Sequence, residues 1–387
     1  METLGKYCKI ISGYAFKSND LSEGTEIPVI KIGNISNGDD VITDSSTQYV
    51  SSNFLSIDEK YHIKKGDVLI SLTGSHINQP NSMVGRSCRN FSDTEFLLNQ
   101  RAGKVIPNEN ADKNYLYYLL NTESFKYSIC NRAYGAANQA NVSPSDIENI
   151  KWNFPPLPTQ QKIASILSAY DDLIQNYKKQ IQALQTAASE LYKEWFVRFR
   201  FPGYQNIKFE NGLPAEWKVV LASELGEFVR GKNITAEEMQ DGIIPVISAG
   251  IEPSGFHNQS NVKGISLTIS NSGANAGYLQ INYSDIWAAD CSYCNSSKYI
   301  YFYYELLNNL RAVLFNLQKG AAQPHVYAKD INKMKILLPS LKLIEAANNK
   351  IELLHEKIDN LQQQITNLTQ QRDLLLPRLM SGKLKVK

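Results

Sequence analysis

Two stretches of the chain place apolar residues at alternating steps of four and three. The first runs through Tyr170, Ile174, Tyr177, Ile181, Leu184, Ala188, Leu191 and Trp195. The second runs through Ala347, Ile351, Leu354, Ile358, Leu361, Ile365, Leu368, Arg372, Leu375 and Leu379. A period near 3.5 sustained over about four heptads predicts a coiled-coil seam, and the Gln- and Lys-rich residues between (KKQIQ, LQQQITNLTQQ) suit its solvated faces. Two matching seams most simply pack on each other; two ordinary amphipathic helices, each lying on its own domain, are the alternative.

Outside these stretches the period shortens. Short apolar or β-branched runs at Ile27–Ile30, Val68–Leu72, Ile243–Ile247 and Lys335–Leu338 lie between loops rich in Gly, Asn and Ser and predict strands. Asn114–Asn121 and Tyr303–Phe315 predict helices. Phe201–Glu216, with Pro202, Gly203, Gly212 and Pro214, leaves little room for helix. The expected fold class is α+β: globular domains over 1–155 and 201–338, helical regions over 156–200 and 339–387.

The chain also repeats itself. GAANQANVSPSDIENIKWNFPPLP, residues 135–158, returns as GAAQPHVYAKDINKMKILLPSLK, residues 320–342, with one extra residue in the first copy. Asp146, Ile147, Ile150 and Pro155 then fall on Asp330, Ile331, Met334 and Pro339. Fainter echoes join Leu4-Gly5 to Leu225-Gly226, Ile27–Ile30 to Ile244–Ile247, and LISLTGS (69–75) to LTISNSG (267–273). A duplicated head followed by a helix predicts a pseudo-twofold molecule.

Composition narrows the reading only a little. A net charge of +2 is weak, and residues 1–155 hold 15 Lys and Arg against 17 Asp and Glu, while 203–338 hold 11 against 12. Charge alone does not suggest nucleic acid, so such a reading requires an uneven surface distribution. The five scattered cysteines fit reduced thiols, and there is neither a leader pattern at the N-terminus nor a run of ~18 apolar residues. The expectation is a soluble, cytoplasmic protein with no membrane partner.

Catalytic patterns are missing. No Gly-x4-Gly-Lys-Ser/Thr loop and no Gly-x-Gly-x-x-Gly turn is present. Asn153-Phe154-Pro155-Pro156 superficially resembles the Asn-Pro-Pro-Tyr loop of adenine methyltransferases, but Phe154 replaces its first proline. Cys291 and Cys294 lack the second ligand pair that a tetrahedral zinc site needs, so they read as strand thiols. Glu190, Lys193 and Glu194 read as a solvated helix face. The expectation is no catalytic residue and no metal site.

PPLPTQQKIASIL (155–167), ELYKEWFVRFRFPG (190–203) and LLLPRLMSGKL (374–384) resemble the helical regions of type I restriction-modification specificity subunits. With the globular repeat before each helix, the resemblance covers essentially the whole chain. One departure is that LPAEWK (213–218), which opens the second globular part, has no counterpart before the first. The resemblance implies two target-recognition domains, each reading one half of a bipartite, asymmetric double-stranded DNA site, held apart by the two long coiled-coil helices packed antiparallel. It also implies two docked methyltransferase subunits that bind S-adenosylmethionine and methylate adenine N6. Motor-nuclease subunits can join them in phage defence; this chain would hold no cofactor. A stand-alone methyltransferase or nuclease, or a coiled-coil scaffold without DNA contact, are the rivals. Ile163 to Trp195 would span ~48 Å at 1.5 Å per residue, roughly 14 base pairs.

Base edges are read by polar side chains in loops. The first domain offers Thr73, Ser75, His76, Asn78, Gln79, Arg86, Asn99, Gln100, Arg101, Tyr134, Asn138, Gln139 and Asn141. The second offers Asn271, Ser272, Asn275, Tyr278, Gln318, Lys319, Gln323 and His325. Lys64, Lys65 and Arg89 are candidates for phosphate. Tyr192, Trp195, Phe196, Phe199 and Phe201 exceed what a two-helix seam buries, which predicts a partner-docking surface; closure of the helix end on the second domain is the equal alternative.

Overall fold

In the computed structural model, residues 1–24, 26–76, 83–136, 139–320 and 323–386 are described. They form two compact units, Met1–Asn176 with Ile365–Lys387, and Tyr177–Gln364.

Unit 1 is built on two small sheets. An antiparallel one orders its strands Cys8–Ser12, Ala102–Pro107, Val68–Ser71, Ser87–Arg89. The other orders Gln48–Val50, Ile27–Ile30, Phe96–Leu98, His62–Ile63, with its central pair parallel. Helices α1 (Lys113–Asn121) and α2 (Glu123–Cys130) cover the first sheet, and their start points are local chemistry. Asp112 accepts from the Tyr115 amide and Thr122 from the Phe125 amide, each satisfying an orphan N–H of a first turn. Helix α3 (Pro144–Glu148) opens on a Ser143–Asp146 capping box with proline at its first position. The core runs from Leu4 and Ile10 through Tyr115, Leu119 and Phe125 to Ile147.

Long helix α4 (Leu157–Tyr192) begins in unit 1 and ends in unit 2. Unit 2 repeats the plan of unit 1, with strands Val229–Arg230, Cys291–Cys294, Ser266–Ser270 and Leu279–Asn282 in the same order. Its second sheet pairs Ile244–Ile247 in parallel with Trp287–Ala288, as Ile27–Ile30 pairs with Phe96–Leu98. Both strands of the IPVI echo therefore hold equivalent places. Helices α5 (Ile300–Asn309), α6 (Arg311–Asn316) and α7 (Ala328–Asn332) stand where α1, α2 and α3 stand, and α8 (Leu341–Met380) follows as α4 does. The helix expected over Tyr303–Phe315 is thus two. Leu310 leaves helical geometry, with ψ at 18°, while its amide still bonds the carbonyls of Leu306 and Leu307.

The predicted seam holds. In unit 1, Ile163, Ala164 and Leu167 share a core with Leu375, Leu379 and Met380. In unit 2, Ala188 and Tyr192 share one with Ile344, Ala347 and Ile351. Since the start of α4 meets the end of α8 and the reverse, the helices run antiparallel. Among the described residues no helix is long and apolar enough to cross a membrane.

Candidate nucleic-acid interface

The described residues flanking the two GAA segments pair in the same way twice. In unit 1, Tyr134–Ala136 pairs with Gln139–Asn141, which pairs in turn with Thr73–Gly74. In unit 2, His325 pairs with both Lys319 and Ser272. Gly135 (φ 119°) and Gly320 (φ 96°) occupy backbone that side chains rarely adopt, and a Cβ there would fall 2.5 Å and 2.8 Å from the carbonyl oxygens of Gln139 and Gln323. This fixes why the glycine opening each segment recurs.

Backbone bonds tie each hairpin to the main sheet in the same way. Val142 donates to the Leu72 carbonyl and Leu72 to that of Arg101; Val326 donates to the Asn271 carbonyl and Asn271 to that of Asp290. Leu72 therefore corresponds to Asn271, Thr73 to Ser272, Asn141 to His325 and Arg101 to Asp290. The LISLTGS and LTISNSG echo is real, displaced by one residue, so that Ser71 meets Ser270 and Gly74 meets Gly273.

Several expected residues meet in the unit 1 cluster. The Thr73 hydroxyl donates to Asn141 Oδ1 at 2.8 Å, which orients the amide. Tyr134, Gln139, Gln100 and Arg101 are exposed beside them, and Arg101 makes no ion pair among the described residues. Thr73, Ser75 and Asn99 are buried, so each serves the loop framework more than an open surface. His76 is half-buried, and Arg86 donates to the Ile32 carbonyl at 3.0 Å. Asn78, Gln79 and Asn138 lie outside the described residues.

In unit 2 the Ser272 hydroxyl donates to the Asp290 carboxylate and Ser292 donates to Asn271 Oδ1 at 2.7 Å. Asn271 and Ser272 are buried, Asn275 and Tyr278 half-buried, Gln323 exposed. Gln318 donates to the Ala276 carbonyl at 2.7 Å and Lys319 is held by Asp330 at 2.7 Å. His325 stacks on Tyr327, with centroids 6.1 Å apart. A small cavity of about 40 Å³ opens here, lined by Arg230, Asn271, Asp290, Ser292, His325 and Tyr327 among others. Asp290, Arg230 and Tyr327 were not singled out in the sequence. Arg230 arrives from another strand, Asp290 from the bend before strand Cys291–Cys294 and Tyr327 from the start of α7, and only tertiary pairing brings them together.

Two expectations are corrected. Arg89 is not open to phosphate: it is 5% exposed, lies 3.5 Å from Asp171, and its guanidinium covers Phe91 and Tyr117. Lys64 and Lys65 are exposed but paired with Glu59 and Asp93. The aromatics offered for docking are not a surface either. Tyr192, Trp195, Phe196 and Phe201 are buried, and Phe196 packs on Phe302 and Trp217 at 5.0 and 5.9 Å. Phe199, half-buried with φ at 56°, lies just past the π-helical turn Lys193–Val197 that follows α4 and packs on Trp217. These rings close the end of α4 on its own unit. The adjoining Glu190, Lys193, Glu194 and Arg198 form exposed ion pairs, as a solvated face does.

Phe154 of the Asn-Phe-Pro-Pro segment stacks on Tyr7 at 3.8 Å. Cys291 and Cys294 are buried in one strand, and burial pushes the Cys291 thiol up to about 12, which makes it a poor thiolate. Among the described residues no cluster of His, Cys, Asp or Glu is arranged to hold a metal ion.

The family model of the type I restriction modification DNA specificity domain matches residues 1–186 and 214–372. The specificity subunit of the type I restriction enzyme MjaIX from Methanocaldococcus jannaschii is 26% identical over 320 residues, 75% of this chain and 73% of that protein. A putative MjaX specificity subunit of the same organism is 34% identical over 170 residues, 43% of this chain and 38% of that one. The crystal structure of a type I restriction-modification S subunit from M. genitalium shares the fold, with a TM-score of 0.58 at 18% identity over 98% of this chain and 95% of that one. Repeated heads, paired helices and a family match over both halves agree: this chain belongs to the type I restriction-modification DNA specificity family.

Proposed function

We propose that the chain selects the DNA site of a type I restriction-modification system and leaves chemistry to its partners. Each unit reads one half of a bipartite double-stranded site through its hairpin cluster. Two adenine-N6 methyltransferase subunits, which bind S-adenosylmethionine, dock on the chain, and motor-nuclease subunits join them for restriction in the cytoplasm.

One observation carries this reading. The same backbone constellation is built twice, yet the polar side chains on it differ: Thr73, Arg101 and Asn141 against Ser272, Asp290 and His325. A repeated scaffold presenting two polar sets is what two unlike half-sites require, because base edges are distinguished by donor and acceptor pattern. The test is methylation mapping of DNA from cells expressing the chain together with a type I methyltransferase subunit from the same source. The expected result is methylated adenine within one split, asymmetric motif that vanishes when this chain is deleted; methylation that persists without it would overturn the proposal.

A further inference from the structure

The two hairpin clusters differ most at a position the backbone makes equivalent. Arg101 and Asp290 each offer their carbonyl to the residue that follows a main-sheet strand and precedes the hairpin pairing, Leu72 in one unit and Asn271 in the other. One is an exposed cation without an ion pair among the described residues; the other is a half-buried carboxylate. Charge is thus inverted at one backbone-equivalent position of the two clusters.

We infer that Arg101 and Asp290 are specificity-determining residues of opposite sense, Arg101 selecting a guanine edge and Asp290 an amino-bearing base edge, in the half-sites of their own units. This rests on the DNA-specificity reading above and extends it to named residues. A guanidinium presents paired donors that match guanine O6 and N7, whereas a carboxylate offers only acceptors and suits an exocyclic amino group such as cytosine N4.

Geometry supports Asp290 beyond its charge. Its Oδ2 accepts from Ser272, which sets the carboxylate plane and leaves Oδ1 as a further acceptor. It borders the cavity of about 40 Å³ shared with Asn271, Ser292 and His325. That is space for a water-sized polar group such as an amine, and too little for a ring. Asn271 is already engaged by Ser292, so the carboxylate is the acidic acceptor facing that space.

The experiment maps methylation motifs for the full chain with its methyltransferase, comparing wild type with Asp290→Asn and Arg101→Ala. Asp290→Asn preserves shape and the acceptor for Ser272 while turning one oxygen into a donor. The expected result is a roughly tenfold loss of preference at one position of one half-site, with the other half-site unaltered. Arg101→Ala, at an exposed residue whose loss does not threaten folding, is expected to relax one guanine position in the opposite half-site by a similar factor. Unchanged motifs in both variants would overturn the inference and leave the DNA-specificity reading intact. A wild-type chain that directs no motif would instead defeat that reading. Loss of all methylation by Asp290→Asn, with Arg101→Ala unchanged at guanine, also counts against the inference.

Discussion

Arg372, at a seam position of α8, donates from Nη1 to Asp171 Oδ1 of α4 at 2.7 Å, and the carboxylate is 3% exposed. Tyr118 of α1 donates to the other oxygen at 2.5 Å and Arg89 lies 3.5 Å away. One buried acid thus ties sheet, short helix and both long helices of unit 1. Burial opposes the charge on Arg372, but its bonds to Asp171 outweigh that and hold the guanidinium more firmly protonated than usual.

Removing that acid should be costly. Asp171→Ala leaves the buried Arg89 with only Asp172, 3.8 Å away, and the half-buried Arg372 with Asp373, so a loss of about 3 kcal/mol, the low end for a broken buried pair, is expected in denaturant unfolding of unit 1. Arg372→Met, which leaves Asp171 with Arg89 and Tyr118, should cost clearly less. Equal losses would show that the network is not centred on the carboxylate.

The aromatic end of α4 predicts a stability defect. Phe196→Ala removes a ring packed on Tyr192, Phe302 and Trp217 and should cost about 3–5 kcal/mol in unit 2, read by tryptophan fluorescence during unfolding. A folded variant of wild-type stability that no longer binds its methyltransferase would restore the docking reading.

Lys126 predicts a pH dependence. Burial pushes its ammonium down to about 8, against the pull of Glu123 and Asp373, while its Nζ donates to Asn37. In the unfolded chain it keeps its proton to about 10.4, so between those values unfolding takes up a proton and this residue's contribution grows more favourable as pH rises. Below pH 8 both states are protonated and the cost of burying the charge is fully present. Wild type should therefore gain on Lys126→Met by roughly 1 kcal/mol between pH 7.5 and 10, the screened part of a ~3 kcal/mol limit. A difference that is flat with pH would contradict this. Subtracting the variant matters, because buried thiols such as Cys8, pushed up to about 12, act in the opposite direction.

Much of this architecture was legible in the sequence, for identifiable reasons. A seam needs only period, and every residue from Tyr170 to Trp195 named for it is buried or half-buried. The GAA repeat was visible because a glycine with positive φ and a buried Ile147 or Ile331 constrain sequence directly. What stayed hidden depended on tertiary pairing. The ring-rich WFVRFRF segment looked surplus to a two-helix seam because its true partners, Trp217 and Phe302, are distant in sequence. Arg89 looked like any cation until Asp171 met it across 82 positions, a separation no local pattern encodes. Asp290 was invisible for the same reason: its importance lies in matching Arg101 through backbone bonds.

The central claim, that each unit reads its half-site independently, is tested most directly by exchanging residues 1–150 for those of another member of the family and mapping adenine methylation by sequencing. The account predicts that one half of the motif changes to that of the donor while the other half stays as it was. A change in both halves, or in neither with methylation retained, would contradict it.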